Sequence, residues 1–233
     1  MSAEGAVYRI GKRFRFEATR RRDDRTWDGN SFIAEAVLSS PTLGPEGFVA
    51  DFGELGPLGR YIDRALDHRI LDEVVEDVSD EGIAAHLTRW ASAHLPADVA
   101  GVLESIRVRT GRPSAPPAGA FVSFAASHRL RGLRPDHPCG RLHGHSYVLT
   151  VPGSGTGRRG EVPVLLRTHV RYAVHGRVLN EAFPGLNPTS ENLARHFAHW
   201  LADRAVGTAR GIGPCVRVSE TETSWAQYTG STS

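Results

Sequence analysis

The stretch CGRLHGHSY, residues 139–147, gathers side chains suited to metal and proton chemistry. His143 and His145 stand two apart at the head of an alternating run, with Tyr147, Leu149 and Val151 set against Val148 and Thr150. Such alternation predicts a strand, and residues i and i+2 of a strand project to the same side. Two imidazoles on one side can share an ion, and Gly144 between them leaves room on the opposite face. FAASHRL offers His128 on a second strand-like run as a third ligand. Three protein ligands with one open position is the pattern of a catalytic zinc. Cys139, four residues before His143, fits a fourth ligand, a nucleophile, a base or a small buried hydrophobe. A zinc nearby would lower its pKa and populate the thiolate. Cys215, ahead of the strand-like VRV, reads as structural packing.

The elements that must position these residues occur twice. SDEGIAAHLTRWASAHL from Ser79 and TSENLARHFAHWLADRAV from Thr189 each open with a hydroxyl cap and an acid in the first turn. Ile83, Leu87 and Trp90 share one helical face in the first, and Leu193, Phe197 and Trp200 in the second. The offset is 110 residues, and it also carries Ile106 and Val108 of SIRVRT onto Val216 and Val218 of CVRVSET. LDHRILDE (66–73) matches VHGRVLNE (174–181) at 108, and WDGNSFIAEAVL (27–38) matches LHGHSYVLTV (142–151) at 115. The order is kept along both halves, so the chain reads as a tandem duplication of an α+β unit. Residues 1–110 form the first unit, 111–119 (GRPSAPPAG) a Pro/Gly/Ala linker, and 120–233 the second.

Bulk properties narrow the function class. The 233 residues carry 28 basic and 26 acidic side chains, a balance that gives no argument for nucleic acid. A pI near 8.7 is compatible with a small anionic ligand. Two cysteines make no disulfide framework and predict a reducing, cytoplasmic setting. The N-terminal MSAEGAVYRIGKRFRF has no apolar core of a signal peptide, and no stretch approaches the roughly 18 apolar residues of a membrane span.

FAASHRLRGLRPDHPCGRLHGHSYVLTV, PGLNPTSENLA and VRVSETETSWAQY resemble the 6-pyruvoyltetrahydropterin and 6-carboxytetrahydropterin synthase family. CGRLHGH is most similar to the 6-carboxy branch, which serves queuosine and other 7-deazapurine biosynthesis. The resemblance implies a tandem T-fold: each unit a four-stranded antiparallel sheet with two helices on one face, the units assembling into barrels. It implies zinc held by His128, His143 and His145, and Cys139 assisting proton transfer. It further implies an Asp-His pair from a neighbouring unit, and a pterin anchored by Glu191 and Glu220. The implied substrate is 7,8-dihydroneopterin triphosphate.

The departures are informative. The pair is present in the first half as Asp67 and His68, whereas the second half has His175 and Gly176. The ligand positions are kept in the second half, whereas the first has Arg20, Asp28 and Asn30 there, no cysteine, and Thr110 opposite Glu220. The expectation is therefore a composite site, with metal and thiol from one half and a proton relay from the other. The assembly expected is a homotrimer of tandem chains or a multiple of it. A different product, such as the 6-pyruvoyl compound, and a non-catalytic zinc-bearing pterin-binding protein are the rival expectations. Arg20 is either a triphosphate contact or part of a solvated basic run; Arg129, Arg131, Arg134 and Arg141 are further triphosphate candidates.

Overall fold

The computed structural model describes residues 5–21, 27–110, 119–152, 161–204 and 215–230. Of the linker, only Gly119 lies among the described residues, and Arg22–Arg25 of the basic run lie outside them. The chain divides into two compact units. One takes in Gly11–Ser39 and Ala50–Ala115, the other Met1–Ile10, Ser40–Val49 and Pro116–Ser233.

The first repeat contains β1 (Val7–Arg21), β2 (Trp27–Ser40), α1 (Gly56–Ala65), β3 (Arg69–Ile70), α2 (Asp80–His94), α3 (Ala97–Gly101) and β4 (Leu103–Thr110). Burial follows the strand period: Phe16 and Ala18 are buried while Arg15 and Glu17 face out. The long strands run in the order β4-β2-β1, and β4 lies antiparallel to β2. The two-residue β3 pairs parallel with β1, Ala18 opposite Arg69 and Thr19 opposite Ile70. Helix α2 starts where Ser79 Oγ accepts the Gly82 N–H at 3.0 Å, and it buries Ile83 and Leu87.

The second repeat contains β5 (Gly119–His128), β6 (His143–Pro152), α4 (Glu161–Ala173), α5 (Leu179–Ala182), α6 (Ser190–Arg204), β7 (Cys215–Ser219) and β8 (Ser224–Thr229). Its four strands run β8-β7-β6-β5, each neighbour antiparallel. A single core lies between this sheet and the helices, built on Phe124, Tyr147, Leu149, Val170, Phe197 and Val218. The fold is thus α+β, an antiparallel sheet backed by helices, in tandem. Trp90 and Trp200 are only half-buried. They stack instead on a ring from the preceding long helix, Tyr61 at 4.4 Å and His169 at 4.0 Å.

Segment 40–49 belongs to the first repeat in sequence, yet it packs with the second. Leu43 and Val49 lie against the second core. The Gly47 carbonyl accepts from Thr189 Oγ1 at 2.9 Å, and Asn187 Nδ2 donates to the Glu46 carbonyl at 2.7 Å. Gly47 sits at φ +88, and a Cβ there would meet Asn192 Nδ2 at 2.5 Å. No helix among the described residues is long and apolar enough to cross a membrane.

Candidate metal centre

The strand register brings the three histidines together. His128, the last residue of β5, stands opposite His143, the first of β6. His145 follows at i+2 on the same side. One ring nitrogen from each lies within 4.8 Å of the others.

The proton positions follow from the acceptors. His128 Nδ1 is 2.8 Å from the Pro188 carbonyl, and His143 Nδ1 is 2.8 Å from the Arg141 carbonyl. A carbonyl can only accept, so both Nδ1 atoms carry hydrogen, which leaves Nε2 as the atom each ring can offer to an ion. Those Nε2 atoms are 3.2 Å apart. With His145 they gather three imidazole nitrogens at one point, a donor set that fits a zinc ion. Burial pushes His128 down to about 4, with the neighbouring His143 and His145 adding to the effect and the Pro188 bond opposing it. His145 is also lowered, chiefly by burial, with Glu220 opposing. Both rings are therefore held neutral, the form that binds metal.

Cys139 lies on the turn Pro138–Gly140, half-buried, with its carbonyl accepting the Leu130 N–H at 2.8 Å. A charged thiol there would help to raise Tyr147, after burial and Glu220. Cys215 is half-buried rather than packed away, its Sγ 3.5 Å from Thr229 Oγ1.

Glu220, in the β7–β8 turn, accepts from Ser190 Oγ at 3.0 Å and influences both His145 and Tyr147. Glu191, at the start of α6, is 2% exposed and accepts the Val49 N–H at 3.3 Å. Its partner thus comes from segment 40–49, which no local pattern connects to α6.

Asp67 and His68 lie in the other unit and form a tight pair, His68 Nδ1 2.7 Å from Asp67 Oδ2. The Glu17 N–H donates to the other Asp67 oxygen at 2.8 Å, and this bond, then the one to His68, holds the carboxyl below its ordinary value. The His68 ring is 78% exposed, so its Nε2 is open to solvent or a ligand. His68 is the one non-glycine residue with positive φ among the described residues, at 56°. Its N–H donates to the Glu17 carbonyl. In the second repeat Gly176 takes that place at φ 72, donating to the Ala125 carbonyl, while His175 accepts from the Ala125 N–H.

The first repeat's counterpart of the metal centre is filled by an ion-pair hub. Arg20 donates to Asp28 at 3.3 Å, Asp80 at 2.9 Å, Thr110 Oγ1 at 3.0 Å and the Val78 carbonyl at 2.7 Å. It is 15% exposed. Neither sequence expectation for Arg20 holds. Its guanidinium is committed within its own unit and is not part of a solvated surface.

Comparison with known proteins now decides the lineage. The family model described as 6-pyruvoyl tetrahydropterin synthase matches residues 9–114 and again 120–231. The chain belongs to the 6-pyruvoyl tetrahydropterin synthase family. Both repeats are copies of this pterin synthase unit, which accounts for the recurrent offset near 110. A provisionally named 6-carboxy-5,6,7,8-tetrahydropterin synthase from Archaeoglobus fulgidus is 30% identical over 114 residues, 47% of this chain and 91% of that protein. The solved 6-pyruvoyl tetrahydropterin synthase of Caenorhabditis elegans aligns at 18% identity and a TM-score of 0.37, over 48% of this chain and all of the other. The uncharacterized protein WS1659 from Wolinella succinogenes aligns at 20% identity and a TM-score of 0.26, over 95% of this chain and 97% of the other.

Proposed function

We propose that the chain is a zinc-dependent lyase of the 6-carboxytetrahydropterin synthase kind. It acts on 7,8-dihydroneopterin triphosphate, with loss of triphosphate and release of a two-carbon fragment. The observation that carries this reading is the convergence of three imidazoles on one point, with Cys139 on the turn that leads into β6. The name of the Archaeoglobus relative supports the 6-carboxy branch.

His128, His143 and His145 would hold the zinc. Bound there, zinc supplies Lewis acidity, which eases proton removal from the substrate side chain. Cys139 serves as the base. His68 moves protons through Nε2, while Asp67 stays anionic and holds Nδ1–H. Glu191 and Glu220 accept from pterin N–H groups, a task for carboxylate oxygens. The exposed Arg129, Arg131, Arg134 and Arg141 are the cations available to the triphosphate. The site is composite in this reading, because each repeat has lost what the other keeps. Asp67 and His68 act within the chain or from another copy of a homotrimer or its multiple. The setting is cytoplasmic, the partner a small-molecule pterin triphosphate.

Incubation of the zinc-loaded protein with 7,8-dihydroneopterin triphosphate, read by mass spectrometry, tests this. 6-Carboxytetrahydropterin is the expected product. The family description itself favours a second reading, the 6-pyruvoyl product. Intact substrate with zinc bound would make the chain a pterin-binding protein, the reading suggested by the dismantled first centre.

A further inference from the structure

Sequence alternation marks Tyr147 as core, and it is fully buried. Its ring stacks on Phe124 at 5.0 Å and 13°. The first repeat contains the same stack, Phe32 on Phe16 at 5.1 Å and 11°. Phe32 lies two residues beyond Asn30 in β2, as Tyr147 lies two beyond His145 in β6. Packing alone is therefore satisfied by phenylalanine, and the hydroxyl is an addition confined to the repeat that holds the three histidines. A buried hydroxyl is costly unless bonded. Here it lies 3.2 Å from His128 Nδ1. The hydrogen on that nitrogen is already directed at the Pro188 carbonyl, so Tyr147 Oη takes the second branch of a shared bond. The ring stands edge-on to His128 at 5.9 Å and to His145 at 5.5 Å.

We propose that Tyr147 is a positioning residue: its hydroxyl and the Pro188 carbonyl together hold the His128 ring in the plane and tautomer that turn Nε2 toward the metal. This rests on the reading that His128, His143 and His145 bind zinc. Outer-shell partners of ligating histidines commonly govern affinity by 10–100-fold. In the first repeat Arg20 occupies the His128 position and lies over the Phe32 ring at 5.2 Å. A guanidinium needs no acceptor from below, and none is supplied.

Tyr147→Phe in the full chain tests the assignment with three readouts. Thermal unfolding reports packing, competition of zinc against a chromophoric chelator reports affinity, and histidine-ring 15N–1H spectra of zinc-free protein report the tautomer. The fold should survive, since phenylalanine fills the equivalent slot in the other repeat. Zinc affinity should fall by roughly 10–100-fold. The His128 Nδ1–H resonance should shift and exchange faster with water. Wild-type zinc binding together with unchanged affinity and an unchanged ring spectrum in the variant would overturn the proposal. A wild-type protein that binds no zinc would sink the metal reading instead, and the ring spectrum would still decide the tyrosine's role.

Discussion

The two repeats solve the same packing problem with different chemistry at equivalent points. Where the second repeat has three histidines and a tyrosine, the first has Arg20, Asp28, Asn30 and Phe32. Where the first has Asp67 and His68, the second has His175 and Gly176. The comparison teaches which features belong to the fold and which to function. A left-handed residue after the first long helix is a demand of the fold, since both repeats meet it. Meeting it with histidine costs on the order of 1–2 kcal/mol that glycine avoids. In the proposed function, the imidazole's role as proton shuttle is what keeps that cost in the repeat where the Asp partner survives. The Arg20 hub teaches the converse. Where the second repeat has its histidine cluster, the first has a guanidinium as internal cation, with Asp28, Asp80 and Thr110 gathered round it.

His68→Gly is the strongest way to break this comparison. Turnover should fall by roughly 10²–10⁴-fold, the usual worth of a positioned proton shuttle. Unfolding should show the variant more stable by about 1 kcal/mol, since glycine relieves the backbone. A variant that lost stability along with activity would mean that His68 serves the fold.

The hub comes next in size. Arg20→Met should destabilise the chain by about 3 kcal/mol, because it leaves Asp28 and Asp80 half-buried without their cation. Zinc content should not change. Zinc loss in this variant, measured by metal analysis, would show that the first repeat's centre supports the second.

A smaller effect sharpens the comparison of the helices. In the first repeat Tyr61 OH is bonded to His86 Nε2 at 2.6 Å. In the second, His169 takes the tyrosine's place on the tryptophan, and its buried Nε2 has no partner among the described residues. Burial, with help from His196 and Arg204, lowers His169 from 6.5 to about 4. The unfolded chain therefore binds that proton more readily between those values. Stability is full above pH 6.5 and is lost as pH falls toward about 4. His169→Tyr should flatten that acid limb and add about 1 kcal/mol at neutral pH by satisfying the site. An unchanged limb in acid-unfolding curves would place the sensitivity elsewhere, His128 being the next group with the same sign.

Much of this was legible in the sequence where chemistry rests on rigid local spacing. The i, i+2 histidines and the helices starting at Ser79 and Thr189 follow from one strand period and one capping rule. The α+β duplication followed from a repeated offset. What escaped depends on which chemically ordinary residue meets which. Arg20 sits in a run of cations, and nothing local marks one of them as buried. Tyr147 reads as core, and only its pairing with Phe32 at offset 115 singles out its hydroxyl. Segment 40–49 has no hydrophobic period, so nothing local announces that Leu43 and Val49 join the second core or that its backbone carbonyls meet Asn187 and Thr189 across some 140 residues.

The central claim is that one repeat carries the metal and the other the proton relay. Asp67→Ala, assayed for zinc content and for turnover of 7,8-dihydroneopterin triphosphate beside the wild type, tests it most directly. The account predicts one zinc per chain in both proteins and turnover reduced at least about 100-fold in the variant. Wild-type turnover in Asp67→Ala, with zinc still bound, would contradict it.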